Sequence, residues 1–139
     1  MSKISVKQFN HLITKGIPLA NDLGVLADSI GDGEARLRLP YHEDLLRPGG
    51  TISGPHMMLL ADACMYAVVM SLVGEVALAV TTNLNINFLQ KPSNTDLIAD
   101  GKIIKLGKRL AVMEVSVLTA GSADLVAHAT GTYSIPPNR

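Results

Sequence analysis

A single carboxylate sits in the middle of the most apolar stretch of this 139-residue chain. The stretch runs from Ser53 to Leu72, and from Met57 onward nearly every residue is apolar except Asp62. This pattern predicts one long helix, ending near Gly74 and buried almost all round. An ionised Asp in such surroundings is costly unless something compensates it. Asp62 is therefore a structural tie between the helix and its neighbours, or a general base or nucleophile. The helix alone leaves both open. The start of the run, Ser53-Gly54-Pro55, supplies a complementary feature. A helix N-terminus presents free N–H groups and the positive end of the helix dipole, which suits developing negative charge. Gly54 has no side chain to keep a ligand from its N–H. Pro55 has no N–H and fits the first helical turn, leaving Gly54 as the donor. Ser53 reads as an N-cap, since no His–Asp pairing accompanies it.

Other candidates are weaker. Lys105-Leu106-Gly107-Lys108-Arg109 is a basic turn between two predicted strands, equally suited to phosphate or to solvent. Lys91 is a second basic candidate. His11, His42, His56 and His128 lack metal-ligand spacing, so no metal is expected. Met57, Met58, Met65 and Met70 read as core or as pocket lining, and Cys64 as a small buried hydrophobe.

The elements that must position these residues follow from periodicity. Ser5-Val6-Lys7-Gln8 reads as a capping box opening an N-terminal helix within residues 1–18, closed by Gly16 and Pro18. Strands are expected at Leu23 to Ile30 and Glu34 to Leu39, joined by a Gly31-Asp32-Gly33 turn. After the long helix, strands are expected at Ala79 to Leu89, Leu97 to Lys105, Leu110 to Leu118 and Leu125 to Ile135. In the first of these, Leu84, Ile86 and Phe88 alternate with Thr81, Asn83, Asn85 and Asn87, which would form a polar ladder. Short connections predict an antiparallel meander after the helix. The tail 136–139 is expected to fray. The order of elements gives a single α+β domain over residues 1–139, an antiparallel sheet wrapped around a long central helix.

Bulk properties exclude several classes. Charged residues make up 17% of the chain and net charge is zero, so it lacks the basic footprint of a nucleic-acid binder. The same shortage of charge, against roughly a quarter in an average domain, points to surface covered by self-association. The apolar run falls short of about 20 uninterrupted apolar residues and carries Asp62, so it reads as a core helix and no membrane partner is expected. No secretory signal is visible, and one cysteine fits a reducing cytoplasm.

Three stretches in this order resemble the hotdog-fold acyl-CoA thioesterases of the phenylacetate-pathway (PaaI-like) group. They are Pro48-Gly49-Gly50-Thr51-Ile52-Ser53-Gly54, then Ala61-Asp62-Ala63, then Val80 to Leu89 followed by Gln90-Lys91-Pro92. The resemblance covers nearly the whole chain after the N-terminal helix. It implies that Asp62 is the catalytic carboxylate, that Gly54 polarises the thioester carbonyl, and that Thr81, with Asn83 nearby, helps to position water or carboxylate. It also implies that Lys105, Lys108 and Arg109 meet the phosphates of coenzyme A. Ser53 stands where the family has a His, Pro55 where it has a second Gly, and Arg47 where relatives often have an Asn that polarises the carbonyl.

The implied reaction is hydrolysis of an acyl-CoA thioester, with no cofactor beyond the substrate's own CoA. The geometry of such a reaction constrains the assembly. Gly54 and Asp62 are eight residues apart, about 12 Å along a helix axis at 1.5 Å per residue. One chain cannot bring both to one carbonyl, so the carboxylate is expected from a neighbouring subunit of a homodimer or homotetramer. A hotdog domain that binds acyl-CoA without chemistry is the competing expectation. A hydratase or dehydratase ranks below both, because no His occupies the position it would need.

Overall fold

The computed structural model describes residues 1–137. The N-terminal helix α1 spans Val6–Gly16, and its capping box is formed: the Ser5 hydroxyl accepts from the Gln8 N–H, and the Gln8 side chain accepts from the Ser5 N–H. Pro18 does not end the helical region. It occupies the first turn of a second short helix, α2 (Pro18–Leu23), where its missing N–H is harmless. Gly24, with φ of 74°, caps that helix in the left-handed region. The first strand, β1 (Leu26–Gly31), therefore begins three residues later than expected. It turns through Asp32-Gly33 into β2 (Glu34–Leu39), as the turn chemistry predicts.

The helix α3 spans Gly54–Val73 and is followed by β3 (Val80–Phe88), β4 (Leu97–Leu106), β5 (Leu110–Thr119) and β6 (Leu125–Ser134). All six strands form one antiparallel sheet in the order β1-β2-β4-β5-β6-β3. The meander is thus confined to β4, β5 and β6. The expected β3–β4 neighbour pair is not formed, because β2 occupies that edge of β4. The loop through Pro92 carries the chain across instead, and β3 closes the opposite edge beside β6.

The sheet wraps α3, and the residues that face it are small where the helix comes closest. A Cβ on Gly101 would lie 2.8 Å from the Cys64 sulfur, and one on Gly131 would lie 2.6 Å from the Met65 sulfur. Met57, Met65 and Met70 are buried in this core and Met58 is exposed, so the methionines build packing more than they line a pocket. At 20 residues and a mean hydropathy of 1.7, α3 is long and apolar enough to cross a membrane. Here it is the core helix of a sheet: Leu60, Ala61, Cys64 and the run Ala67 to Ser71 are fully buried against the strands.

Burial is not complete all round, however. Pro55, Met58, Leu59, Asp62, Ala63 and Tyr66 form a stripe that the sheet leaves partly or fully exposed. The edge strand β3 beside it is exposed along most of its length, including Val80 and Phe88. The sheet thus leaves a helix stripe uncovered next to its edge strand β3.

Candidate active site

Asp62 lies on the exposed stripe of α3, facing the start of β3 and the end of β6. Its Oδ1 accepts two hydrogen bonds, each 2.7 Å long, from the Thr81 and Tyr133 hydroxyls. The Tyr133 Oη also lies 3.0 Å from the Asp62 backbone carbonyl. Among the described residues no donor reaches Oδ2. Burial, and next the Asp62 charge, push the Tyr133 phenol far above its ordinary value, so it remains a donor. The Tyr133 ring is itself held: it stacks on Tyr66 with centroids 6.1 Å apart, and Phe9 meets Tyr66 edge-on at 6.2 Å.

A β-bulge explains how Thr81 comes to face the helix. Alternation alone puts Thr81 with Asn83, Asn85 and Asn87 on the outer face, away from Leu84, Ile86 and Phe88. The β3–β6 register shifts between Thr81 and Asn83, so Thr81 pairs with Tyr133 while Asn83 pairs with Thr132. The extra residue re-aims Thr81 to the helix side and leaves Asn83 on the polar outer face. Asn83 is thereby separated from Asp62 by the thickness of the sheet.

Gly54 opens α3 at the other end of the sheet. Its N–H has no acceptor among the described residues. The position favours glycine for a reason that its sequence neighbours do not disclose: a Cβ there would lie 3.1 Å from Cζ of Phe88, whose ring covers the helix start. Ser53 is the N-cap by backbone, but its hydroxyl contacts His56 Nδ1 at 2.5 Å and does not cap an N–H. Arg47 is exposed in the loop before the helix, where its backbone N–H donates to Thr51 and its carbonyl accepts from Gly50.

Lys105, Lys108 and Arg109 are exposed at the β4–β5 hairpin. That hairpin shares the Tyr133 end of the sheet: the Ile135 N–H donates to the Arg109 carbonyl, and Leu110 pairs with Ser134. The candidates therefore fall into two groups within one chain. Asp62, Thr81, Tyr133 and the basic turn lie at one end of β3, and Gly54, Phe88 and Arg47 lie at the other.

A cavity of about 490 Å³ adjoins the carboxylate, lined by Leu12, Ile17, Tyr66, Val80, Thr81 and Tyr133. A larger hollow of about 690 Å³ occupies the outer face, where Arg36 pairs with Asp100 and Lys102 with Glu114. It is remote from Asp62, and its cations Arg36 and Lys102 already have partners.

The family model of the thioesterase superfamily matches residues 49–125, which hold Gly54, Asp62 and Thr81. The chain belongs to the thioesterase superfamily. Among superfamily relatives, a candidate esterase of Halobacterium salinarum is 41% identical over 112 residues, covering 76% of this chain and 74% of its own length. A solved candidate thioesterase from Silicibacter sp. TM1040 is 38% identical with a TM-score of 0.88, over 99% of this chain and 95% of that one. The E. coli PaaI protein from the phenylacetic acid degradation operon shares the fold at 21% identity and a TM-score of 0.83, over 94% of this chain and 93% of its own. This superfamily member is a hydrolase with the hotdog architecture of the PaaI-like group.

Proposed function

We propose that the protein hydrolyses acyl-CoA thioesters to free acid and CoA. One observation carries the reading: a carboxylate on a partly exposed helix stripe is fixed through one oxygen by two hydroxyls, while its second oxygen has no donor among the described residues. Here Oδ2 is free to take a proton from water, or to attack the thioester carbon itself. In either course the carbonyl π electrons move onto oxygen, where the Gly54 N–H donates to the developing charge. The intermediate then collapses with cleavage of the C–S bond. In the first course the CoA sulfur takes the proton that Asp62 removed from water. In the second the thiolate leaves an acyl anhydride on Asp62, which water hydrolyses to the free acid and the carboxylate while its proton goes to the CoA sulfur.

The two groups of site residues meet when a second copy is added. Antiparallel pairing of β3 with the same strand of a partner, centred near Leu84, would set the Thr81 end of one chain against the Phe88 end of the other. The Gly54 N–H would then address the carbonyl that the partner's Asp62 attacks. The exposed β3 edge and the uncovered α3 stripe support this homodimer, and pairs of dimers would give a homotetramer. The cavity beside Tyr66 and Tyr133 is suited to the acyl group. The basic turn at Lys108-Arg109, with Lys105, suits the CoA phosphates, and Arg47 with Ser53 lies at the carbonyl end. The buried free thiol of Cys64 accords with a cytoplasmic enzyme.

The test is thiol release from a panel of aromatic and aliphatic acyl-CoAs by the wild type and by Asp62→Asn. Release that vanishes in a folded Asp62→Asn protein supports the reading. No release across the panel, with acyl-CoA still bound, would make this a binding domain in which Asp62 is structural.

A further inference from the structure

The proposed reaction takes Asp62 Oδ2 and the Gly54 N–H as its reacting groups, and Tyr133 touches neither. Yet Tyr133 makes two hydrogen-bond contacts with Asp62, where Thr81 makes one. Its Oη reaches Oδ1 at 2.7 Å and the Asp62 carbonyl at 3.0 Å, so it grips the residue at both its side chain and its backbone. Thr81 lies directly across the β3–β6 pair and donates to the same Oδ1 at 2.7 Å. Two donors on one oxygen fix the rotation of the carboxylate and turn the other oxygen away from them.

We infer that Tyr133 is a positioning residue that, together with Thr81, engages Asp62 Oδ1 and so assigns Oδ2 to the reacting thioester. The inference rests on the thioesterase reading of this site. No proton leaves Tyr133 in this role: it donates throughout, and Oδ2 accepts the proton of water or forms the bond to the acyl carbon. The ring is suited to such a task because its own position is determined. It is almost fully buried, it stacks on Tyr66, and the Tyr66 hydroxyl is anchored on the Ala77 carbonyl at 3.0 Å. The same two rings wall the cavity beside Asp62. An acyl group seated there would press on the side chain that holds the carboxylate.

The experiment compares wild type, Tyr133→Phe, Thr81→Val, the double variant and Asp62→Asn, on the best acyl-CoA of the panel. Tyr133→Phe keeps the ring and its stacking and removes only the hydroxyl. It is expected to lower kcat by roughly 10- to 100-fold with KM near the wild-type value, as misplacement of a reacting group does. Thr81→Val should do the same to a lesser degree. Because either hydroxyl alone still tethers Oδ1, the double variant should lose more than the product of the single losses and approach the level of Asp62→Asn. Tyr133→Phe with wild-type kcat per folded molecule, or with its loss confined to KM, would overturn the inference and leave the thioesterase reading intact. Losses that simply multiply in the double variant would overturn the shared-oxygen argument. A wild type with no hydrolysis of any panel member would overturn the thioesterase reading, and this inference with it.

Discussion

Thr81 and Tyr133 face each other across adjacent strands, and both send a hydroxyl to one oxygen of Asp62. The pairing depends on a bulge that shifts β3 by one residue just after Thr81. Without that shift, Thr81 would point to the outer face with the asparagines, and Tyr133 would hold the carboxylate alone.

Thr81→Ser should therefore preserve activity, because it keeps the hydroxyl that reaches Asp62. Thr81→Val should lose about tenfold in kcat, in line with the loss of one positioning contact. Thr81→Ser should keep the stability of wild type within about 0.5 kcal/mol, and Thr81→Val, which removes a hydrogen bond to a carboxylate, should lose about 1 kcal/mol. Steady-state kinetics and a thermal melt on the three proteins check this.

Gly54→Ala places a methyl group 3.1 Å from the Phe88 ring. The ring must give by a few tenths of an ångström at the helix start, and the carbonyl site with it. A drop in kcat/KM of about tenfold is expected, worth about 1.4 kcal/mol of transition-state stabilisation. Phe88→Leu in the same chain should recover much of it, because the smaller side chain makes room. A loss that Phe88→Leu leaves unchanged would show that the contact is not what the glycine serves.

Lys108→Ala and Arg109→Ala should raise KM for acyl-CoA by several-fold at low salt, and the effect should shrink as salt screens the exposed charges. An N-acetylcysteamine thioester, which lacks the phosphates, should show no such change. Equal effects on both substrates would remove this turn from CoA binding.

Alkaline pH should destabilise the fold through two buried acids. Burial raises the Cys64 thiol and the Tyr133 phenol above their ordinary values. Below the unfolded thiol value of about 8.5, both states hold the proton and nothing is lost. Above it the unfolded chain releases the Cys64 proton while the folded chain retains it, and above about 10 the phenol adds the same effect. The melting temperature should fall as pH rises through these values, less steeply in Cys64→Ala. For the same reason, Cys64 should resist thiol reagents at pH 8 until the protein is unfolded.

Asp62 was legible in the sequence because a carboxylate is conspicuous in an apolar helix, and Gly54 because a glycine before proline marks a helix start. The capping box at Ser5 and the Asp32-Gly33 turn were legible because their chemistry is local. What was not legible depends on contacts between distant segments. Tyr133 is 71 positions from Asp62, and its strand reads only as an alternation. One signal was available: the inward residues Ala127, Ala129 and Gly131 are all small, then Tyr133 is large, as expected where a helix passes close and a long side chain reaches past it. The place of β3 at the far edge was hidden because a short connection favours the neighbouring strand unless another already holds that edge, as β2 does here. The bulge that turns Thr81 inward breaks the period of two on which the alternation argument relied.

The proposed site joins one chain's Gly54 to the partner's Asp62, and mixing two variant subunits separates those contributions. Gly54→Leu sets a bulky side chain at the helix start, where even a Cβ would lie 3.1 Å from the Phe88 ring, and so closes the carbonyl site. Asp62→Asn removes the carboxylate. Each variant alone should be inactive. If equal amounts reassort at random, half of the dimers are mixed and each carries one intact site of two, so activity should return to about one quarter of wild type. Two inactive variants that stay inactive when demonstrably mixed into heterodimers would contradict a shared site.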